Sequence, residues 1–213
     1  MSPGLDYDED EVIVRRGRPM TRPELGCYSS HVGAWLEFIH GSAQQLIVFE
    51  DDVLIDWGFI EEAASHDFHA DGIDYIRFAA TAASPNVVLG EMFGRYLVQY
   101  TGYALGAQAY LLTRAGAYRM MERFRRVRGP VDDVMDQAWR GSLPNLGIVQ
   151  QPVTGITAPS QIGAARNAQF EIPARLRSRR FWFRVQEKVL RKGYSLAVCA
   201  GLRAMVRGVG KAY

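Results

Sequence analysis

Residues 46–52 read Leu46-Ile47-Val48-Phe49-Glu50-Asp51-Asp52, and the fold class turns on them. Four apolar residues in a row, two of them β-branched, fit a strand covered on both faces, as in a parallel sheet. The run stops abruptly in three carboxylates. In extended chain the side chains alternate, so Glu50 and Asp52 would share one side and Asp51 would take the other. Open α/β sheets hold their ligands at the carboxyl ends of strands. Carboxylate oxygens there suit a hard divalent ion, Mg²⁺ or Mn²⁺, shared with substrate phosphates. On these residues alone, acids that merely end a strand and cap the next helix are an equal alternative.

Outward from this strand the pattern alternates. Before it, Ser29 and Ser30 are good N-cap types, and Val32, Trp35, Leu36 and Ile39 follow at helical spacing until Gly41. After it, 75–78 and 109–112 are further strand candidates, the second running into a helix with Ala117, Met120, Met121 and Phe124. Strands alternating with helices predict an α/β sheet. Past Gly129 and Pro130 a short helix carries Asp132, Asp133 and Asp136, spaced to fall near one face. Such a group could supply a general base. Aspartates in a first turn also stabilise the helix dipole without any catalytic role, and that is the commoner case. Residues 1–22 predict loose order and 141–173 a long irregular crossing.

The chain has 213 residues and a formal net charge of +2, which conceals an asymmetry. Residues 1–173 hold 14 Arg against 22 acidic residues, a net −8, and 174–213 hold 11 basic residues against one Glu, a net +10. The division predicts an acidic domain over 1–173 and a basic amphipathic helical tail over 174–213. Trp182, Val185 and Val189 share a helical face, and nine uncharged residues, 194–202, suit a helix lying in a membrane interface. No apolar run reaches the roughly 18 residues of a membrane span, and the acidic start lacks the pattern of a signal peptide. Cys27 and Cys199, the only cysteines, are far apart and unlike any metal-ligand spacing, and read as two free thiols in a reducing compartment. His31, just inside its helix, has no neighbouring Cys or His with metal-ligand spacing on this reading and is taken as a structural residue. Walker loop, nucleophile elbow, zinc motif and dinucleotide fingerprint are all missing from the sequence.

Five blocks in order carry a resemblance. They are Met20-Thr21-Arg22-Pro23-Glu24-Leu25-Gly26-Cys27-Tyr28-Ser29-Ser30-His31 with Trp35, then Ile47-Val48-Phe49-Glu50-Asp51-Asp52-Val53, then Gly106 with 109–113 and Gly116-Ala117. Pro130-Val131-Asp132-Asp133 and, more weakly, Ser160-Gln161-Ile162 with Arg166 complete them. Over about residues 18–167 the chain resembles glycosyltransferase family 25, the lipooligosaccharide and lipopolysaccharide galactosyltransferase group. The resemblance implies a GT-A fold and an inverting, metal-assisted transfer of a hexose, often galactose, from a UDP-sugar to a surface glycan. It implies that Glu50, Asp51, Ser30 and His31 bind the nucleotide, that Asp52 and Glu50 hold Mn²⁺ or Mg²⁺, and that Asp133 or Asp132 is the base, Asp133 preferred. Family members usually begin with a further strand and an arginine-containing segment ahead of Gly26, so the expectation is a fold lacking that strand. Pro23 stands where the family has glycine.

The expected partners are a UDP-sugar donor, a lipid-linked saccharide acceptor and, through the tail, the anionic inner face of a membrane. Nucleic acid is not expected, since the body is acidic and has no recognised binding module. The expected setting is cytoplasmic and membrane-peripheral. Two rivals remain at this point: a non-catalytic, truncated member acting as a membrane-peripheral binding protein, and a metal-dependent hydrolase of phosphorylated sugars.

Overall fold

A computed structural model describes residues 5–141, 143–156 and 170–209, with side chains to residue 201. The last resemblance block, Ser160-Gln161-Ile162 with Arg166, lies outside the described residues. In chain order the elements are β1 (Asp6–Tyr7), α1 (Glu9–Arg16), α2 (Arg22–His40), β2 (Gln45–Phe49), β3 (Val53–Ile55), α3 (Trp57–Ser65), β4 (Tyr75–Arg77), β5 (Asn86–Met92) and β6 (Arg95–Tyr100). Then follow β7 (Ala109–Thr113), α4 (Arg114–Phe124), β8 (Arg126–Val127), α5 (Val131–Met135), a 3₁₀ turn at Ala138–Arg140, β9 (Leu146–Val149), β10 (Val153–Gly155) and α6 (Ala174–Val209).

The central sheet has six strands in the order β2-β7-β4-β9-β6-β5. Only β4 and β9 run parallel within it; its other pairings are antiparallel. This corrects the parallel expectation for 46–49. β2 is an edge strand, half-buried along its length, and pairs antiparallel with β7. Its apolar run has the cause inferred from sequence, because both faces are covered. Leu46 and Val48 pack with Trp35, Tyr110 and Leu112 on one side, and Ile47 and Phe49 with Phe59, Ile76 and Leu111 on the other. An apolar run reports two covered faces; it does not report strand direction.

α2 begins earlier than its two serines suggest. Thr21 is the N-cap: its hydroxyl accepts from the Glu24 amide, and the Glu24 carboxylate accepts from the Thr21 amide at 2.9 Å. This reciprocal box satisfies two orphan donors, and Arg18 locks it through two hydrogen bonds to Glu24, at 2.7 and 2.8 Å. Pro23 sits in the first turn, where its missing amide has no intrahelical partner to lose. Residues 1–22 are also more ordered than predicted, since α1 is capped by Asp8 and buries Val12, Ile13 and Val14. The 141–173 crossing contains β9 and β10, each too short for a periodicity signal.

At the start of α4, Gly116 lies against β4's entry: a Cβ there would stand 2.0 Å from the Asp74 carbonyl oxygen. Among the described residues the tail is a single helix, and α6 grips the body with one face. Leu176 packs on Ile13 and Val14, and the Arg180 guanidinium donates to the Ile13, Val14 and Arg15 carbonyls that end α1. Glu187, the tail's one acid, accepts from Tyr103 Oη, Trp139 Nε1 and Arg140 Nε at 2.6–2.9 Å. Among the described residues no helix is long and apolar enough to cross a membrane.

Candidate functional site

The three acids after β2 are not part of the strand. Glu50 follows its last residue, and Asp51 and Asp52 form a bend before β3. The alternation of side chains drawn from an extended chain therefore does not apply to them. Glu50 is half-buried, while Asp51 and Asp52 are exposed. Two backbone bonds fix the bend: the Glu50 amide donates to the Gln108 carbonyl at 2.8 Å, and the Asp52 carbonyl accepts from the Ile156 amide at 2.7 Å.

The second acidic group meets the same segment that holds Glu50. Leu105 and Gly106 both have positive φ, +54° and +78°, a left-handed backbone that a leucine adopts only when its surroundings hold it there. Their amides donate to Asp136 Oδ2 at 2.8 Å and Asp132 Oδ2 at 3.3 Å. Their carbonyls accept from Arg77 Nη1. Arg77 is itself paired with Asp136 at 2.9 Å and donates to Asn145 Oδ1 at 3.0 Å; Asn145 in turn donates to Asp136. Arg77, Asp136 and Asn145 are all buried. Burial pushes the Asp136 carboxyl up, against the opposing pull of Arg77 and the Leu105 amide. Asp136 is thus a structural carboxylate at the C-cap of α5, and the grouping of three candidate bases on one face separates by role.

Asp133 forms an ion pair with Arg16 at 2.6 Å and lines a cavity of about 340 Å³ together with Arg15, Tyr103, Leu105, Arg128 and Gln137. Asp132 is half-buried. Three arginines, Arg15, Arg16 and Arg128, line this cavity. The cavity wall is therefore suited to an anionic group.

The nucleotide-side candidates on α2 divide similarly. His31 is buried, and its Nδ1 lies 2.7 Å from the Tyr110 hydroxyl, which also accepts from Trp35 Nε1 at 2.8 Å. Its Nε2 faces Glu50 Oε1 at 3.8 Å. Ser30 is exposed, and its hydroxyl donates to the Gly26 carbonyl one turn back. The sequence reading missed Cys27. It stands four residues before His31, on the same helical face, and its donor atom lies with those of His31 and Glu50 within 4.8 Å of one another. The i, i+4 spacing was the available signal.

The model of the family described as "Glycosyltransferase family 25 (LPS biosynthesis protein)" matches residues 6–135, well over half of the chain.

The chain belongs to glycosyltransferase family 25.

Among curated members of the family, the bovine "Probable inactive glycosyltransferase 25 family member 3" is 32% identical over 128 residues, covering 56% of this chain and 21% of the bovine protein. The zebrafish (Danio rerio) "Procollagen galactosyltransferase 1" is 27% identical over 128 residues, 56% of this chain and 20% of its own length. The mouse "Procollagen galactosyltransferase 2" is 43% identical over a shorter stretch of 42 residues, 20% of this chain and 7% of its own. The matched part spans about a fifth of the first two relatives. The mixed α/β sheet with helices on both faces is consistent with a glycosyltransferase fold.

Proposed function

We propose that this family 25 chain binds a UDP-sugar at the exposed bend after β2 and transfers its hexose, galactose foremost, to a lipid-linked saccharide with inversion at the anomeric carbon. The carrying observation is the shared segment 105–108, to which both Glu50 and the Asp132–Asp136 group are hydrogen-bonded. The donor-side bend, through the Glu50 amide, and the acceptor-side group, through Asp132 and Asp136, are thereby tied to one segment of chain. The names of the procollagen galactosyltransferases support galactose as the hexose.

Three successive carboxylates, exposed or half-exposed on a bend, offer oxygen donors only and leave room for phosphate oxygens and water, which fits Mn²⁺ or Mg²⁺. Glu50 and Asp52 are the residues that would hold the ion, and it supplies charge neutralisation on the departing UDP. Asp51, Ser30 and His31, with Glu50, contact the nucleotide. Asp133, which lines the cavity, takes the proton of the acceptor hydroxyl, with Asp132 beside it. The acceptor oxygen bonds to the anomeric carbon as that carbon's bond to the diphosphate oxygen breaks.

The test is calorimetric titration of the 213-residue chain with UDP, with and without Mn²⁺. Metal-dependent binding that disappears in Asp52→Ala is expected; absence of binding by a folded sample overturns the donor assignment. A second reading, a non-catalytic member, is favoured by one feature: Arg16 already neutralises Asp133. It predicts UDP binding without sugar transfer to any lipid-linked acceptor.

The outward face of α6 supports attachment to the cytoplasmic face of a membrane. Phe181, Trp182, Val185, Val189 and Leu196 are exposed and fall within an arc of about 100° on the helix, opposite the face that packs on the body. Lys188 and Lys192 flank them, an arrangement suited to anionic lipid. Co-sedimentation with vesicles containing anionic lipid, weakened by salt and by Trp182→Ser with Val189→Ser, is the expected outcome; equal sedimentation of that double variant removes the membrane role.

A further inference from the structure

We infer that Cys27, His31 and Glu50 form a binding site for a borderline-soft divalent ion, zinc foremost, distinct in chemistry from the hard-cation set proposed at Glu50 and Asp52. Two elements build it. The i, i+4 spacing on α2 stacks Cys27 and His31 one turn apart, and the residue after β2 brings Glu50 beneath them. One donor atom from each lies within 4.8 Å of the others. Bonds of about 2.0–2.3 Å in a tetrahedral zinc site put neighbouring ligand atoms about 3.3–3.8 Å apart. Side-chain movement of about an ångström closes the gap, and the His31 Nε2 to Glu50 separation is already short, at 3.8 Å.

The histidine is held in the way a ligand needs. Metal-bound imidazoles use one ring nitrogen for the ion and give the other to an outer-shell partner that fixes the tautomer. Here Nδ1 lies 2.7 Å from Tyr110 Oη, a fully buried hydroxyl clamped by Trp35 Nε1. With Trp35 Nε1–H donating to that oxygen, the 2.7 Å contact admits either the Tyr110 O–H donating to Nδ1 or an Nδ1–H donating to the oxygen. In the tautomer with hydrogen on Nδ1, the Nε2 lone pair points to the Glu50 side. Cys27 and Glu50 are each half-buried, so the fourth position faces the surface and remains available to water or a ligand, as in zinc sites with three protein donors.

The donor set selects the ion. One sulfur, one nitrogen and one oxygen disfavour Mg²⁺, which wants oxygen throughout, and favour Zn²⁺ or Co²⁺. On binding, the Cys27 thiol gives its proton to solvent and the thiolate bonds to the metal. One consequence rests on the proposed function: an ion held here engages Glu50 and so competes with UDP for that carboxylate. The binding itself does not depend on it.

Cobalt is the probe. Titrating the metal-free chain with Co²⁺ is expected to give one equivalent of tetrahedral d–d absorption, a thiolate-to-cobalt charge-transfer band in the near ultraviolet, and loss of both on adding Zn²⁺. Cys27→Ser should abolish the charge-transfer band while Cys199→Ser leaves it intact. His31→Gln should weaken cobalt affinity at least tenfold, with circular dichroism confirming the fold of each variant. Absence of the band at one equivalent, or its persistence in Cys27→Ser, overturns the site. Calorimetry with UDP and Mn²⁺ on the same sample separates the two ideas. Cobalt charge transfer without UDP binding leaves the metal site standing and removes the donor reading, whereas the reverse pattern does the opposite.

Discussion

The two acidic triplets of this chain, Glu50-Asp51-Asp52 and Asp132-Asp133-Asp136, carry the same charge and are both hydrogen-bonded to one segment, yet they stand in opposite environments. The first occupies a bend with two of its carboxylates in solvent. The second is wired into the protein: Asp136 to Arg77 and Asn145, Asp133 to Arg16, Asp132 to a loop amide. Asp136, buried with both oxygens already partnered, holds the fold, and the carboxylates left in solvent are the ones with capacity for a ligand ion. Burial and partner count separate these roles; residue type does not.

The strongest way to break the contrast is at Asp136. Asp136→Ala leaves the Arg77 guanidinium buried without its counter-charge, and should cost about 3–5 kcal/mol of unfolding free energy. Urea denaturation measures it, and a loss below 1 kcal/mol would mean that Asp136 is no more structural than Asp52. A third acid, Glu24, extends the comparison through pH. Burial would raise its pKa, but the bonds from Arg18 and Thr21 outweigh this and hold it at about 2, below its ordinary 4.5. Because the folded value is the lower, this stabilisation is complete above pH 4.5 and disappears as pH falls toward 2, an amount of about 3 kcal/mol. Glu24→Gln should flatten the stability profile across that window, and an unchanged acid slope would remove Glu24 from the structural class.

Gly116→Ala sharpens the same point from the packing side, because its Cβ would meet the Asp74 backbone rather than a movable side chain. A loss of about 1–3 kcal/mol is expected, read as a lowered thermal midpoint. Asp52→Ala should be the mildest, within about 0.5 kcal/mol of wild type, as befits an exposed position. A large destabilisation there would show that the bend is structural as well.

Much of this was legible in the residues. Periodicity located α2, β2, β4, β7 and α4 near their observed places, because amphipathic spacing follows directly from which faces are covered. The residues of the Glu50 bend and of α5 stood out as acidic clusters in the order of a known family. The hairpin β5–β6 and strands β9 and β10 were missed, as was α1, whose three buried residues follow four consecutive acids. The helix start at Thr21 was recorded in its S/T-x-x-E box and overlooked for the later serines.

The sequence by itself determined the α/β class, the family and the charge division, and it singled out the candidate carboxylates, since these depend on composition, local period and motif order. Tertiary structure alone decided strand direction in the sheet, the separation of Asp136 from its neighbours, the meeting of Cys27 and His31 with Glu50, and the attachment of α6 through Glu187. Each of those depends on contacts between segments distant in the chain. Hydrogen-bond partners and desolvation, which set what a carboxylate can do, come into being only when those segments meet.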